Sequence, residues 1–375
     1  MKISIWTGHA FEPWGPISAD QGGIGGSETA AIHMAFELAA LGHQVTMFGE
    51  HEGKEGIIAD WVATTFGSVE WVDYRRAIKD PKIAACDVFV SSRDKSVLRL
   101  KPDAKVKVLW VHDIHVGDDW EGEVALFDRV YCLTKWHKDF VMEHYPHVEP
   151  EKFFVTRNGI DPARFHPEMP WEELRAKKGP RFVWSSSLDR GLDVMLDVWP
   201  EIRKLEPRAE LGVYYGIENW RKLNAENKPG LATIDFMMER IRRLEGDGVR
   251  YHGRVGQREL AEAHMGAICW AYPTAWMETF AITALEAQAA GAYPVTSRLA
   301  ALPETVFAGT LLGGRNKSAE YKKSFVDAVA AALRDEDGFA SRTAEVSREF
   351  TLRARTWAGV AREWEADFEG LLGER

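Results

Sequence analysis

The sequence predicts an α/β protein made of two doubly wound parallel-sheet domains. Short apolar, strand-like runs alternate with amphipathic, helix-like ones, the pattern of repeated βαβ units. The alternation is interrupted once, by the polar, proline-punctuated stretch FHPEMPWEELRAKKGP at Phe165–Pro180, which reads as a linker. A length of 375 residues also exceeds what one hydrophobic core usually organises. The expected bounds are residues 1–165 and 166–350, with a terminal segment at 351–375.

The elements follow in order. Ile3–Thr7 is a short buried strand. Ser27–Leu41 reads as a helix: Ser27 can cap it, Glu28 lies in its first turn, and Ala31, Met34, Leu38 and Leu41 recur at helical spacing before Gly42 stops it. Val45–Phe48, Asp87–Ser91, Val106–Val111 and Arg129–Leu133 are further strands. After the linker, strands are expected at Arg181–Ser185, Glu210–Tyr215, Val249–His252, Ala267–Tyr272 and Tyr293–Thr296. Helices are expected at Leu192–Leu205, Ile234–Leu244, Glu259–His264 and Phe280–Ala290. Ala319–Arg334 and Thr351–Leu372 close the chain as helices, and Trp357, Trp364 and Phe368 share a face of the last one.

Composition narrows the function. A formal charge of −10 argues against a general nucleic-acid-binding surface. Local basic clusters at Arg75/Arg76, Lys101/Lys105/Lys107 and Lys135/His137/Lys138 read either as solvated faces or as contacts to an anionic acceptor or a membrane surface. No apolar run is long enough to span a bilayer, and the first residues are too aromatic and proline-broken for a secretory signal. Cys86, Cys132 and Cys269 lie in strand-like runs without pairing or metal-ligand spacing, so a reducing, cytoplasmic setting is expected. The HDIH run at His112–His115 lacks a nearby third ligand, and no metal site is expected.

Two motifs carry chemistry. GGIGGSE, Gly22 to Glu28, places backbone-exposing residues before a helix whose N-terminus can receive a phosphate, with Gly23, Gly25 and Gly26 as the closest-approach positions; a plain flexible loop is the alternative. It fails the dinucleotide fingerprint, having Glu28 where a third glycine belongs. In the second half, Glu278 and Glu286 are eight residues apart and flank an apolar, buried-looking helix after a buried strand. Carboxylates there, at the carboxyl end of a parallel sheet, can accept hydrogen bonds from sugar and ribose hydroxyls.

The run PTAWMETFAITALEAQAAGAYPVTSRLAALPETV resembles the signature of glycosyltransferase family 4, with its Glu-x7-Glu pair, Ala-x-Ala-Ala-Gly, Pro-Val strand and Pro-Glu turn. GGIGGSE, GHQV, the HD after an apolar strand, TKWHKDF and RNGID at Arg157–Asp161 agree in order, so the resemblance spans nearly the whole chain. It implies the GT-B fold, two Rossmann-like domains facing a cleft, with a terminal helix that crosses back to the first. It also implies a nucleotide-diphosphate-sugar donor, retention at the anomeric carbon and no obligatory metal or other cofactor. By the same resemblance Glu278 lies by the donor sugar, Thr279 and Phe280 offer backbone N–H groups, and Glu286 binds the ribose. Arg254 and Val255 fall where the nucleobase packs, and His112 matches a cleft histidine; a capped strand end is its plainer reading.

The sequence departs from the family in WSSSLDRGL. Arg190–Gly191 fits one basic slot for the diphosphate, but the earlier one falls among Trp184–Ser186 and is not basic. Donor binding is therefore expected to lean on Arg190, the glycine loop and a helix dipole. A nucleotide-sugar epimerase and a non-catalytic sugar-nucleotide-binding protein are the alternative functions. The acceptor, whether glycan, lipid-linked or a small molecule, is expected to be chosen by loops such as Trp14–Gln21 and Gly53–Val69.

Overall fold

The computed structural model describes residues 1–51, 56–58 and 69–374. The chain divides into two compact units: Met1–Ala19, Ile24–Gly159 and Arg355–Arg375 form the first, Asp20–Gly23 and Ile160–Ala354 the second.

The first unit is built on β1 (Lys2–Gly8), β2 (Gln44–Gly49), β3 (Gly56–Ile58), β4 (Val69–Asp73), β5 (Cys86–Ser92), β6 (Ala104–Trp110), β7 (Arg129–Cys132) and β8 (Phe153–Val155). Their order across the sheet is β3-β4-β2-β1-β5-β6-β7-β8. All pairs are parallel except β3 with β4. Ile3 lies opposite Val45 on one side and Val88 on the other. Ile3, Ile5, Val88, Val90, Val106 and Val108 are all buried, as strands covered on both faces require. The helix Gly26–Ala40 packs on this sheet, and so does Trp357–Gly373, which lies against Gly26–Ala40 and β6. Trp364 and Phe368 are fully buried there. The Trp364 indole donates to Thr156 Oγ1 at 2.7 Å, and Asp367 accepts from the Tyr131 hydroxyl at 2.7 Å.

The second unit holds β9 (Gly179–Trp184), β10 (Glu210–Val213), β11 (Val249–Tyr251), β12 (Ala267–Tyr272), β13 (Tyr293–Ser297) and β14 (Thr310–Leu312), in the order β11-β10-β9-β12-β13-β14 and all parallel. Its core joins Phe182, Trp184, Trp199, Trp270 and Phe325. In each sheet the strand order reverses once, between β1 and β5 and between β9 and β12. Crossovers leave in opposite directions at such a point, and a crevice opens at the carboxyl ends of the two strands.

Several local expectations change. Ser27 does not cap the first long helix: Gly25 is the N-cap, and the Ser27 hydroxyl donates to Glu28 Oε2 at 2.9 Å. The stretch read as a linker contains the helix Trp171–Lys177. Leu174 is buried and Trp171 covers Gly291, so one apolar face offsets the polar composition. Thr351–Leu372 is not one helix but the end of Phe339–Ala354 and then Trp357–Gly373, because Thr356 turns extended and accepts the Gly359 N–H at 3.0 Å as an N-cap. His137 is buried rather than part of a solvated basic cluster, since its ring bonds backbone on both sides. The loop Gly53–Val69 lies largely outside the described residues.

Candidate functional site

The second unit's switch point gathers Arg190 and Glu278. Arg190 follows β9 and Glu278 follows β12, the two strands between which the order reverses. Gly191 makes the approach possible. Its φ is 112°, and a Cβ would lie 2.5 Å from the Pro273 carbonyl, so only glycine lets this turn rest on the end of β12. Arg190 Nη1 then bonds both carboxylate oxygens of Glu278, at 3.0 and 2.9 Å. The buried Tyr272 hydroxyl donates to Glu278 Oε1 at 2.7 Å, and the Trp276 ring lies 4.6 Å beneath the guanidinium. Burial and the Glu278 charge raise the Tyr272 phenol well above its ordinary range, so it stays a donor. Both bonds to Glu278 come from Nη1, so the Nε and Nη2 protons are not consumed by it.

Thr279 and Phe280 form the turn after Glu278. Ala281 follows in the left-handed region at φ 66°, a strained value for a residue with a Cβ, and the helix Ile282–Ala289 starts only after it. Glu286 lies in that helix. Burial raises its carboxyl to about 7, against the opposing field of Arg164. Arg164 in turn pairs with Asp161 at 3.5 Å and Asp20 at 3.6 Å.

Residues 20–23 therefore belong to the second unit. Gly23, at φ 68°, passes so close to Val255 that a Cβ would lie 2.7 Å from its carbonyl oxygen and 3.8 Å from Arg254 Cγ. This brings the start of the glycine loop onto Arg254 and Val255. Arg254 and Arg190 both act on the Tyr215 phenol, which burial raises and the two guanidiniums lower. A second cation thus stands near Arg190, although the slot among Trp184–Ser186 is empty of one. The serines there are tied to the scaffold, Ser185 bonding Thr283 at 2.8 Å and Ser186 bonding Tyr272.

Gly25, Gly26 and His112 lie in the first unit. His112 follows β6, is buried and sits 4.3 Å from the Trp110 ring. Burial, and after it the charge of Arg93, holds its pKa well below the ordinary range, so it is neutral at pH 7. His137 is neutral too, lowered to about 4 chiefly by burial. Its Nδ1 accepts from Leu133 N–H, which assigns the proton to Nε2 and the Asp113 carbonyl.

Residues 179–335 match the family model described as Glycosyl transferases group 1. This region is a group 1 glycosyltransferase domain. Among curated relatives, D-inositol 3-phosphate glycosyltransferase of Streptomyces avermitilis is 28% identical over 231 residues, 56% of this chain and 47% of the relative. The Streptomyces bingchenggensis protein of the same name is 25% identical over 207 residues, 52% of this chain and 44% of its own length. The chain thus spans about half the length of the curated relatives it matches. Sucrose-phosphate synthase from Thermosynechococcus elongatus has a similar structure, with TM-score 0.73 and 16% identity over 100% of both chains. HepE of Anabaena, solved with UDP and glucose, gives TM-score 0.70 and 14% identity over 99% of this chain and 100% of that one. Together with the two parallel sheets, these likenesses establish the GT-B fold.

Tyr272 and Trp276, within the glycosyltransferase domain, and Arg164, just before it, were not singled out by the sequence. Tyr272 could have been, as the last residue of a buried strand ending six positions before Glu278. Nothing in the sequence pairs Arg164 with a helix more than a hundred residues on.

Proposed function

We propose that this protein is a retaining, metal-independent glycosyltransferase that moves a sugar from a nucleotide-diphosphate-sugar to an acceptor hydroxyl. The observation that carries the reading is the Arg190–Glu278 pair at the switch point of a group 1 glycosyltransferase domain. Arg190 offers Nε and Nη2 to the diphosphate, with Arg254 as the second cation. Glu278, held by Tyr272, accepts hydroxyls of the donor sugar, and the Thr279–Phe280 turn presents backbone N–H groups. Glu286 accepts the ribose hydroxyls, and the nucleobase packs at Arg254–Val255 and Gly23.

In the transfer, the acceptor oxygen bonds the anomeric carbon on the face from which the diphosphate leaves. The carbon–oxygen bond to phosphate breaks, and the departing diphosphate takes the acceptor's proton. Fixed donors stabilise the charge that develops on the leaving group, which is where such sites gain most. His112, neutral and buried, orients polar groups of the reacting sugar. HepE, whose structure was solved with UDP and glucose, supports a nucleotide donor. No helix among the described residues is long and apolar enough to cross a membrane. We place the enzyme in the cytoplasm, in carbohydrate biosynthesis.

The test is a calorimetric panel of UDP, GDP, ADP and their sugars with EDTA present, followed by mass-spectrometric detection of transfer and determination of the anomer formed. Binding with EDTA-resistant transfer and retained configuration is expected. Conversion of the donor without acceptor would indicate an epimerase. Tight binding with no conversion across a broad acceptor panel would indicate a binding protein.

A further inference from the structure

A cavity of about 420 Å³ opens in the first unit where β1 and β5 end. One wall is the run Thr7–Phe11, another is Ser92–Asp94, and a third is the first turn of the helix Gly26–Ala40. It occupies that unit's own switch point, where α/β sheets take ligands.

A helix N-terminus at a switch point ordinarily draws an anion. Here the place is taken. The Glu28 carboxylate folds back over the N-cap, so that a Cβ on Gly25 would lie 2.2 Å from Glu28 Oε2. This is the fold-back of a capping box, with glycine where the capping side chain would be. Arg93 is shared between two acids, 2.8 Å from Asp113 and 3.4 Å from Glu28. It stands at φ 70°, fixed by its N–H to the Trp110 carbonyl at 3.0 Å, a strained backbone kept at the cavity wall. Asp94 is held by the Trp6 indole at 3.0 Å and by the Ser96 N–H at 3.0 Å. His9 is bonded to Glu50. Two carboxylates thus line the cavity beside one already-paired guanidinium. Phe11, 54% exposed, adds an apolar face at the same wall.

We propose that this cavity receives the acceptor, and that the acceptor is an uncharged polyhydroxylated molecule, a sugar or cyclitol without a phosphate. Hydroxyls donate to Glu28 and Asp94, and the C–H face of a ring lies on Phe11. A phosphate at the helix N-terminus would meet the Glu28 carboxylate, and like-charge juxtaposition selects against it. The inference rests on the glycosyltransferase reading. It separates this chain from the relatives named for an inositol 3-phosphate acceptor.

The test uses matched pairs, glucose with glucose 6-phosphate and myo-inositol with myo-inositol 1-phosphate. Transfer from the donor that binds is measured for each. Binding is read separately by saturation-transfer NMR with the matching nucleoside diphosphate present. The neutral member of at least one pair should be preferred by about ten-fold or more in kcat/KM and should alone give transfer signals. Glu28→Gln, which keeps the capping fold-back, should narrow that preference to about three-fold or less. Equal or better use of the phosphorylated member, an unchanged preference in Glu28→Gln, or binding of neither member would overturn the inference. If no nucleotide binds, the glycosyltransferase reading has failed; neutral-only NMR signals lost in Phe11→Ala would still uphold the cavity's chemistry.

Discussion

At the switch point of the second unit a guanidinium, Arg190, rests on a carboxylate that a buried tyrosine holds. At that of the first, a carboxylate, Glu28, covers a helix N-terminus, and the nearby guanidinium Arg93 is divided between two acids. Both crevices arise from the same event, a reversal of strand order in a parallel sheet. Topology therefore decides where a ligand goes, and a few side chains decide its charge. In the second unit Arg190 gives only Nη1 to its acid, Glu278; in the first, Arg93 is shared between Asp113 and Glu28.

The comparison breaks most sharply at Arg190. Its removal leaves the buried Glu278 without a counter-charge, and loss of one partner of such a pair costs about 3–5 kcal/mol of stability. Urea denaturation of Arg190→Ala should show a loss of that order, and the Arg190→Ala/Glu278→Ala double variant should recover part of it. Nucleoside-diphosphate affinity of Arg190→Ala should fall roughly 10- to 150-fold, the equivalent of a charge-assisted contact of about 1.5–3 kcal/mol. Affinity equal to the parent would move the diphosphate contact to Arg254 and remove the contrast between the units.

Tyr272→Phe sharpens the same point without changing charge. It deletes one hydrogen bond to Glu278, so the carboxylate loosens while the cation stays. Turnover should fall by about ten-fold or more, with nucleoside-diphosphate affinity within about three-fold of the parent. If the two fall together, Glu278 serves the nucleotide rather than the sugar.

Acid should strain the first unit more than the second. His112 and His137 in the first, and His264 in the second, have pKa values depressed by burial, His137 to about 4 and His264 to about 3. Below the unfolded value of about 6.5 the unfolded chain binds protons that these rings refuse, so stability is lost as pH falls, by up to roughly 1.4 kcal/mol per pH unit for each. Glu286 runs the other way. Its folded value near 7 lies above the unfolded one, so stability is gained as pH falls from about 7 to 4.5. The histidines outweigh Glu286, so melting temperature should drop by several degrees between pH 7.5 and 5.5, and His137→Gln should flatten the slope. A rise on acidification would contradict the burial of these rings.

The smallest effect concerns Glu286 itself. If ribose hydroxyls donate to its ionised form, nucleoside-diphosphate affinity should rise by up to about ten-fold from pH 6 to 8. Glu286→Gln, measured alongside to remove the ligand's own titration, should lose that part of the rise. Parallel profiles would detach Glu286 from the ribose.

The sequence by itself determined the two parallel sheets, the strand-end placement of Glu278 and Arg190, and the apolar face of Trp357, Trp364 and Phe368. Each is a periodic or short-range property, fixed by spacing and by which residues cannot face water. Only the tertiary structure decided which groups meet. Arg190 finds Glu278 because Gly191 lets one strand end rest on another, 88 residues away in sequence. Glu28 turns back over Gly25 instead of leaving the helix end to an anion, and Arg93 holds a left-handed backbone that no residue preference announces. Trp171–Lys177 folds as a helix within a polar stretch because Gly291 makes room for Trp171. Long-range pairing sets charge balance and pKa, and it depends on chain crossings that local composition does not encode.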